Sequence, residues 1–272
     1  MDLLQSKKLN LGCGYDKREG YLNVDLNDFH SPDLVANIIE MNEFPSNAYE
    51  EIIAQDILEH VLRANVRRAL LEWNRLLEFG GRIFIRTTWI HGLAALLDLP
   101  ENDEISAQEG LIQSLFGTQA YTGDYHLTGF TEKTFRFYMW EAGFEIDEMG
   151  LLHGAFLEAW AHKTRDLSFS ELIDTESDDA RFVNQVCCEI LGRPISEDDP
   201  LRELVGALGN KEARLELVRN LMLSEERKQR MIATAPRFPR TLRLPGEKPS
   251  LIRRVARKCK RMVKAVLPIN SK

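Results

Sequence analysis

Between Lys8 and Ala161, short apolar runs alternate with stretches in which apolar positions recur at helical spacing. Lys8–Leu11, Tyr21–Val24, Asp33–Ala36, Glu51–Ala54 and Arg82–Arg86 read as strands. The first ends in the Gly12-Cys13-Gly14 turn and the fifth follows Gly80-Gly81. Phe144–Met149 and Phe156–Ala161 complete the set, joined by a turn over Gly150–Gly154. A helix from about His60 to Leu77 is expected between the fourth and fifth strands, because Val66, Leu70, Trp73 and Leu77 share one face of a 3.6-residue period. Another is expected over Thr131–Ala142, with Thr131 as N-cap and Gly143 as its stop. The insertion 88–130 shows one amphipathic piece, Ile105–Phe116. Strands alternating with helices predict the α/β class, an open sheet covered on both faces, over residues 1–165.

Further on the pattern becomes purely helical. Phe182, Val186, Ile190 and Leu191 recur at helical spacing up to Gly192-Arg193-Pro194. Leu201, Leu204, Val205 and Leu208 repeat the pattern, as do Leu215, Val218, Leu221 and Met222. Residues 178–230 therefore predict a small all-α bundle, too short at ~50 residues to be stable alone and so expected to dock on the first domain. Pro236, Pro239, Pro245 and Pro249 make 236–250 a stiff linker. Beyond it, Leu251, Ile252, Val255, Cys259, Met262, Val263 and Val266 form an apolar stripe between basic residues, a basic amphipathic helix over 250–268.

The composition, 44% hydrophobic and 28% charged, is that of a globular protein with a real core. No apolar run reaches the ~18–20 residues of a membrane span. The start, Met1-Asp2-Leu3-Leu4, is too short and acidic for a signal peptide. Cys13, Cys187, Cys188 and Cys259 lack metal-ligand spacing, and the adjacent pair is a poor disulfide, which points to a reducing, cytoplasmic compartment. The net charge of −7 hides an asymmetry. From Arg237 onward stand twelve Lys or Arg and one acid, Glu247, against 23 basic and 41 acidic residues before it. Such a tail suits an anionic membrane surface, which would make the protein peripheral there; a partner groove or nucleic acid are the competing readings.

The candidate chemistry lies in Lys8-Leu-Asn-Leu-Gly-Cys-Gly14 followed by Tyr21-Leu-Asn-Val-Asp25. A strand stopping at Gly-x-Gly lets backbone approach a ligand, and an acid ending the next strand can accept from ribose hydroxyls. A dinucleotide motif needs a third glycine, a full helix and ~20 residues before its acid. Here only eleven separate Gly14 from Asp25, and no Gly-Lys-Ser/Thr occurs. The spacing suits a ligand with a ribose and no phosphate.

These residues resemble the S-adenosylmethionine-dependent methyltransferases of the Rossmann-like class. Leu9–Gly14 is similar to their first motif and Asp25 to the ribose acid. Ala36-Asn37-Ile38 resembles the segment that meets adenine, and Asp56-Ile-Leu-Glu-His60 the Leu-Glu-His segment after the fourth strand. Leu77-Glu-Phe-Gly-Gly-Arg-Ile83 resembles the turn before the fifth, and Glu141-Ala-Gly-Phe144 the turn into the sixth. The shortened Gly-Cys-Gly…Gly-Tyr-x-Asn-Val-Asp form resembles a bacterial subgroup associated with surface-polysaccharide genes. Asn37 departs from the acid usual at the adenine position. Phe182-Val183, Leu191-Gly-Arg-Pro194 and Leu221-Met-Leu-Ser-Glu225 resemble a small helical domain of unassigned function.

The resemblance implies an open seven-stranded methyltransferase sheet and S-adenosyl-L-methionine as cofactor. Gly12, Cys13 and Gly14 would lie by its methionine part, Asp25 at the ribose, and Asn37 and Ile38 at the adenine. Gln55 and Asp56 would face the sulfonium side. The expected activity is methyl transfer to a hydroxyl, of a sugar in a surface glycan or its lipid-linked precursor. A non-catalytic adaptor in glycan assembly, or methylation of an amine or carboxylate on a small molecule, are the alternatives. A hydroxyl acceptor calls for a base. The candidates are His126, preferred because Asp124 and Tyr125 flank it, then His91, and His60, which reads more as packing or bonding near the cofactor than as a base; Asp56 is grouped with His126 and His91 as a catalytic residue. Trp89, Tyr121 and Tyr125 are either acceptor-stacking or core aromatics.

Overall fold

The computed structural model describes residues 6–121, 123–176 and 178–247. Seven strands form one sheet: β1 (Lys8–Leu11), β2 (Leu22–Asp25), β3 (Leu34–Val35), β4 (Tyr49–Gln55), β5 (Leu77–Thr88), β6 (Phe144–Leu152) and β7 (Phe156–Lys163). Their order is β3-β2-β1-β4-β5-β7-β6, with β1 to β5 parallel and β7 antiparallel to both its neighbours. This is the open seven-stranded α/β sheet that the sequence analysis expects. Strand order reverses between β1 and β4, which opens a crevice at the carboxyl ends of the strands.

The central strands are buried on both faces, as covered parallel strands are, and Leu9, Leu11, Val24, Ile52 and Ile85 are core. Asn10 and Asn23 are buried too and satisfy one another: Asn10 Nδ2 donates to Asn23 Oδ1 at 2.9 Å, and Asn23 Nδ2 to Asp33 Oδ2 at 2.7 Å. This polar ladder ties β1, β2 and the approach to β3 together beneath the crevice.

The helix expected from His60 begins later, as α1 (Val66–Leu76); two short 3-10 turns, Leu58–His60 and Arg63–Asn65, precede it. α2 (Ile90–Leu97) was not legible, because Ile-His-Gly-Leu-Ala-Ala-Leu-Leu is apolar almost throughout and carries little period. α3 (Ile105–Phe116) stands where expected. So does α4 (Glu132–Glu141), where the Thr131 hydroxyl accepts from Thr134 N at 3.1 Å and Gly143 follows at φ +85°.

The helical module comprises α5 (Ser170–Thr175), α6 (Asp179–Leu191), α7 (Lys211–Leu223) and α8 (Glu225–Thr234). Phe182, Val186, Val218 and Met222 form its core, and Ile173 of the unforeseen α5 belongs to it. The helix expected over 201–208 is reduced to a 3-10 turn, Pro200–Leu204, since Pro200 opens it and Gly206 follows at φ +91°. The module docks as expected. Leu71 of α1 packs on its core, and buried Glu141 of α4 accepts from Arg67 Nη2 at 2.6 Å and from Arg227 Nη1 at 2.9 Å.

The proline segment, expected as a stiff linker, is bound to the sheet domain at residues 241–242. Glu132 accepts from Thr241 N and Leu242 N, each at 2.9 Å, and the Leu242 side chain enters the core of the sheet domain. Residues 248–250 and the expected basic helix 250–268, with Cys259, lie outside the described residues. Among the described residues no helix is long and apolar enough to cross a membrane.

Candidate active site

Beyond β1 the chain turns through Gly12 at φ +63° and Gly14 at φ +50°. The two glycines do different work. A Cβ on Gly12 would run into the Ile57 side chain, whereas one on Gly14 would meet nothing within 4 Å. Gly12 is thus a packing requirement, and Gly14 is the position with open space beside it. Between them Cys13 N donates to Val24 O at 3.1 Å and continues the parallel pairing. Burial, with the Asp25 charge nearby, pushes the Cys13 thiol up to about 11. It is a neutral packing group that does not line the crevice.

Asp25 ends β2 and is buried. Its Oδ2 accepts from Gly14 N at 2.8 Å; its Oδ1 accepts from Asn27 N at 2.8 Å and lies 3.1 Å from His30 Nδ1. A carboxylate offers about four acceptor sites, so roughly one remains, on Oδ2. That admits a single ligand hydroxyl, not the two expected from the sequence, unless His30 moves. His30 carries no local sequence signature, sitting five residues beyond Asp25 across a 3-10 turn, Asp28–His30. Its ring is edge-on to Tyr15, Phe29 and Tyr121, with centroids 4.7, 4.2 and 5.9 Å away.

Asp25, His30 and Tyr121 border a cavity of about 320 Å³, within the ~300–1,000 Å³ usual for small-molecule sites. Gly12, Gly14, Asp25, Asn37, Ile38 and Asp56 line it, so six of the sequence-predicted residues converge there. Ile38, Ile57, Val61 and Leu62 supply an apolar wall. Trp73 Nε1 donates to Ile38 O at 3.1 Å and fixes that segment from beneath. Asn37 is exposed, and its Oδ1 accepts from Ile39 N at 3.3 Å, an Asx turn that engages the carbonyl expected to read adenine. Gln55 does not reach the cavity; its Oε1 accepts from Arg18 Nη2 at 3.1 Å.

Asp56 lines the cavity at φ +51°, but Arg86 grips its carboxylate with two bonds, Nε to Oδ1 at 2.7 Å and Nη2 to Oδ2. A carboxylate held in this way is a positioning group and a poor base. His91 is exposed on α2 beside Trp89 and away from the cavity. His126 is not a lining residue either. Its Nδ1 faces Ser114 O at 3.1 Å and its ring packs edge-on to His60, with centroids 4.8 Å apart. Two histidines line the cavity: His30, which is bound to Asp25, and His60, whose Nδ1 lies 3.2 Å from Tyr125 O. Burial holds the imidazoles of His60 and His126 below their ordinary 6.5, so both are neutral at pH 7.

Glu59 is buried between His60, His126 and the sheet. Its Oε2 accepts from the Thr87 hydroxyl at 2.9 Å, and its carbonyl accepts from Leu127 N and Thr128 N, pinning the loop that carries Tyr125 and His126. Burial pushes its carboxyl up to about 8. Of the three aromatics, Trp89 is core at 1% exposure, Tyr121 lines the cavity, and Tyr125 is exposed and is not a lining residue.

The lining carries two carboxylates, Asp25 and Asp56, and among the described residues neither Lys nor Arg. Arg86 offsets the charge of Asp56, so Asp25 is the lining carboxylate whose charge favours a cationic nucleoside over a phosphate. S-adenosylmethionine, with a ribose, an apolar-faced base and a sulfonium, fits this donor set.

No family model matches the chain, and no curated protein matches it. A methyltransferase described as S-adenosylmethionine-dependent from Methanosarcina mazei is 19% identical, covering 57% of this chain and 91% of its own at a TM-score of 0.42. One from Mesorhizobium loti is 15% identical, covering 57% and 90%, also at 0.42. The 1,6-didemethyltoxoflavin-N1-methyltransferase of Burkholderia thailandensis is 14% identical, covering 58% and 71% at 0.39. These likenesses are too distant to bear on activity or substrate, and the fold stands on its own strand order.

Proposed function

We propose that the protein is an S-adenosylmethionine-dependent methyltransferase that acts on a hydroxyl, of a sugar in a bacterial surface glycan or its lipid-linked precursor. One observation carries the cofactor: Gly14 and Asp25 open together onto a cavity with two carboxylates and no lining Lys or Arg among the described residues. Bound there, the cofactor supplies a methyl group already activated by its sulfonium. The chain's part is to hold, orient and deprotonate. Asp25 takes a ribose hydroxyl on its remaining acceptor site, and Ile38 and Ile57 flank the base. Asp56, fixed by Arg86, would border the sulfonium side as a positioning group. Alignment of this kind is worth up to ~7–11 kcal/mol of the barrier.

His60 replaces His126 as the base in this reading, because of the two imidazoles in the cavity wall His30 is committed to Asp25, while burial keeps His60 neutral at working pH. His126 holds it in place from behind. Tyr121, a lining residue, supports a cyclic acceptor as an aromatic in the cavity wall. The cationic residues after Arg237 support a position at an anionic membrane face, where a lipid-linked acceptor would be met.

Isothermal titration tests the cofactor: S-adenosylmethionine should bind and ATP should not, and silence from both at millimolar concentration would refute the site. Glycan mass spectrometry of cells with and without the protein tests the acceptor, through loss of one CH2 increment. Flotation with anionic liposomes, with and without residues 250–272, tests the membrane face; equal behaviour removes it.

A further inference from the structure

A second cavity, of about 220 Å³, lies where the two modules meet. Trp140 at the end of α4 and Arg165 just after β7 bound it on one side, and Ile190 of α6 with Arg227 and Arg230 of α8 bound it on the other. Phe144, opening β6, pairs with Lys163, closing β7. Trp140 and Arg165 therefore sit at the amino edge of the sheet, opposite the crevice beside Gly14.

Three guanidinium groups meet there with little to neutralise them. Arg227 is 2% exposed and shares Glu141 Oε1 with Arg67, so one buried carboxylate answers two arginines. Arg165 lies 5.4 Å from the centre of the Trp140 ring and gives Nη2 to the Trp140 carbonyl. Arg230 gives Nη1 to the carbonyls of Glu189 and Ile190 at 3.0 and 2.7 Å. Those acceptors are neutral and leave the charge of Arg230 uncancelled. Glu189 is the only acid among the lining residues described, and its carboxylate accepts from Gln185 at 3.2 Å along its own helix. Burial lowers Arg227 to about 10, and repulsion from Arg67, Arg165 and Arg230 adds to that effect. Like charges gathered in a partly buried space create a potential that an anion relieves, and guanidinium donors match its oxygens. The Trp140 indole, Ile190 and Met231 make the remaining wall apolar.

We infer that this cavity binds a small organic anion, a phosphate or carboxylate on an aromatic or short aliphatic body, and that the ligand bridges the two modules. The site is independent of methyl transfer and of the cofactor crevice.

Phenyl phosphate is the probe, titrated into the full chain by calorimetry and by tryptophan fluorescence, with inorganic phosphate as the headgroup-only arm. The expected result is one saturable site, unaffected by saturating S-adenosylhomocysteine and weaker for inorganic phosphate. Arg165→Gln and Arg230→Gln should each weaken it about tenfold, and Trp140→Phe should remove the fluorescence change. Should those variants fold poorly, hydrogen exchange on the wild-type chain reads the site directly, through protection at the end of α4 and along α8. The inference is overturned by no saturable binding at millimolar probe, by binding indifferent to both arginine changes, or by protection confined to the Gly12–Gly14 turn.

Discussion

The Gly14 amide donates to Asp25 Oδ2 at 2.8 Å, and through this one bond the turn after β1 and the end of β2 become a single wall of the crevice. Asn27 N and His30 Nδ1 take the other oxygen, at 2.8 and 3.1 Å. The carboxylate is therefore both the ligand's acceptor and the knot that shapes the place where a ligand would sit.

Asp25→Ala should weaken S-adenosylmethionine binding by ~1–3 kcal/mol and lower the melting temperature as well, because buried donors lose their acceptor. Calorimetry beside thermal unfolding separates the two effects. Unchanged affinity would place the ribose elsewhere.

The two glycines should fail differently. Gly12→Ala forces a methyl onto Ile57 and should cost ~1–3 kcal/mol of stability, partly recovered in a Gly12→Ala, Ile57→Ala pair. Gly14→Ala meets open space and should cost about 1 kcal/mol for its φ, with the larger effect on cofactor affinity. Equal stability losses would contradict this division.

His60→Asn should leave cofactor affinity intact and lower kcat by ~10²–10⁴-fold. Burial holds the imidazole below 6.5 and a base works unprotonated, so the acid limb of kcat/KM should lie below pH 6.5. His126→Ala should expose His60 to water and move that limb upward. A pH profile that ignores His126 would assign the base to another group.

Glu59 sets a pH dependence of stability with a definite sign. Burial raises its folded value to about 8 from an ordinary 4.5, so the folded state binds the extra proton between those values. Stability from this group is complete below about pH 4.5 and is lost as pH rises toward 8, by at most ~1.4 kcal/mol per pH unit. Glu59→Gln should flatten that decline in urea unfolding at pH 5, 7 and 8; parallel curves would show the carboxyl to be ionised.

Glu141→Gln should destabilise by ~3–5 kcal/mol, since Arg67 and Arg227 lose the charge they share in a buried place. Both modules should still unfold together, because α1, α4 and α8 all meet at this residue. Two separated transitions in the wild-type chain would disprove the coupling.

Much of the fold was legible because its signals are local. Apolar runs of strand length, the Thr131 cap and the Gly143 stop report backbone preferences that each segment carries with it. The glycine pair and the acid at 25 likewise announced a crevice, since residue type and spacing alone restrict what a strand end can approach. Neighbourhood across the chain stayed hidden. α2 lacked a period, Pro200 cut a promising helix short, and Glu132 drew residues 241–242 onto the sheet domain where composition suggested a stiff extended linker.

The site divides along the same line. Sequence determined that β1 and β2 would end in small and acidic groups, because backbone freedom and charge belong to the residues themselves. Only the tertiary structure decided which groups remain available. Arg86 comes thirty positions later to occupy Asp56, His30 takes part of Asp25, and His60 stands in the wall with His126 behind it. Hydrogen-bond capacity and burial are shared between distant segments, and how they are shared is settled when those segments pack.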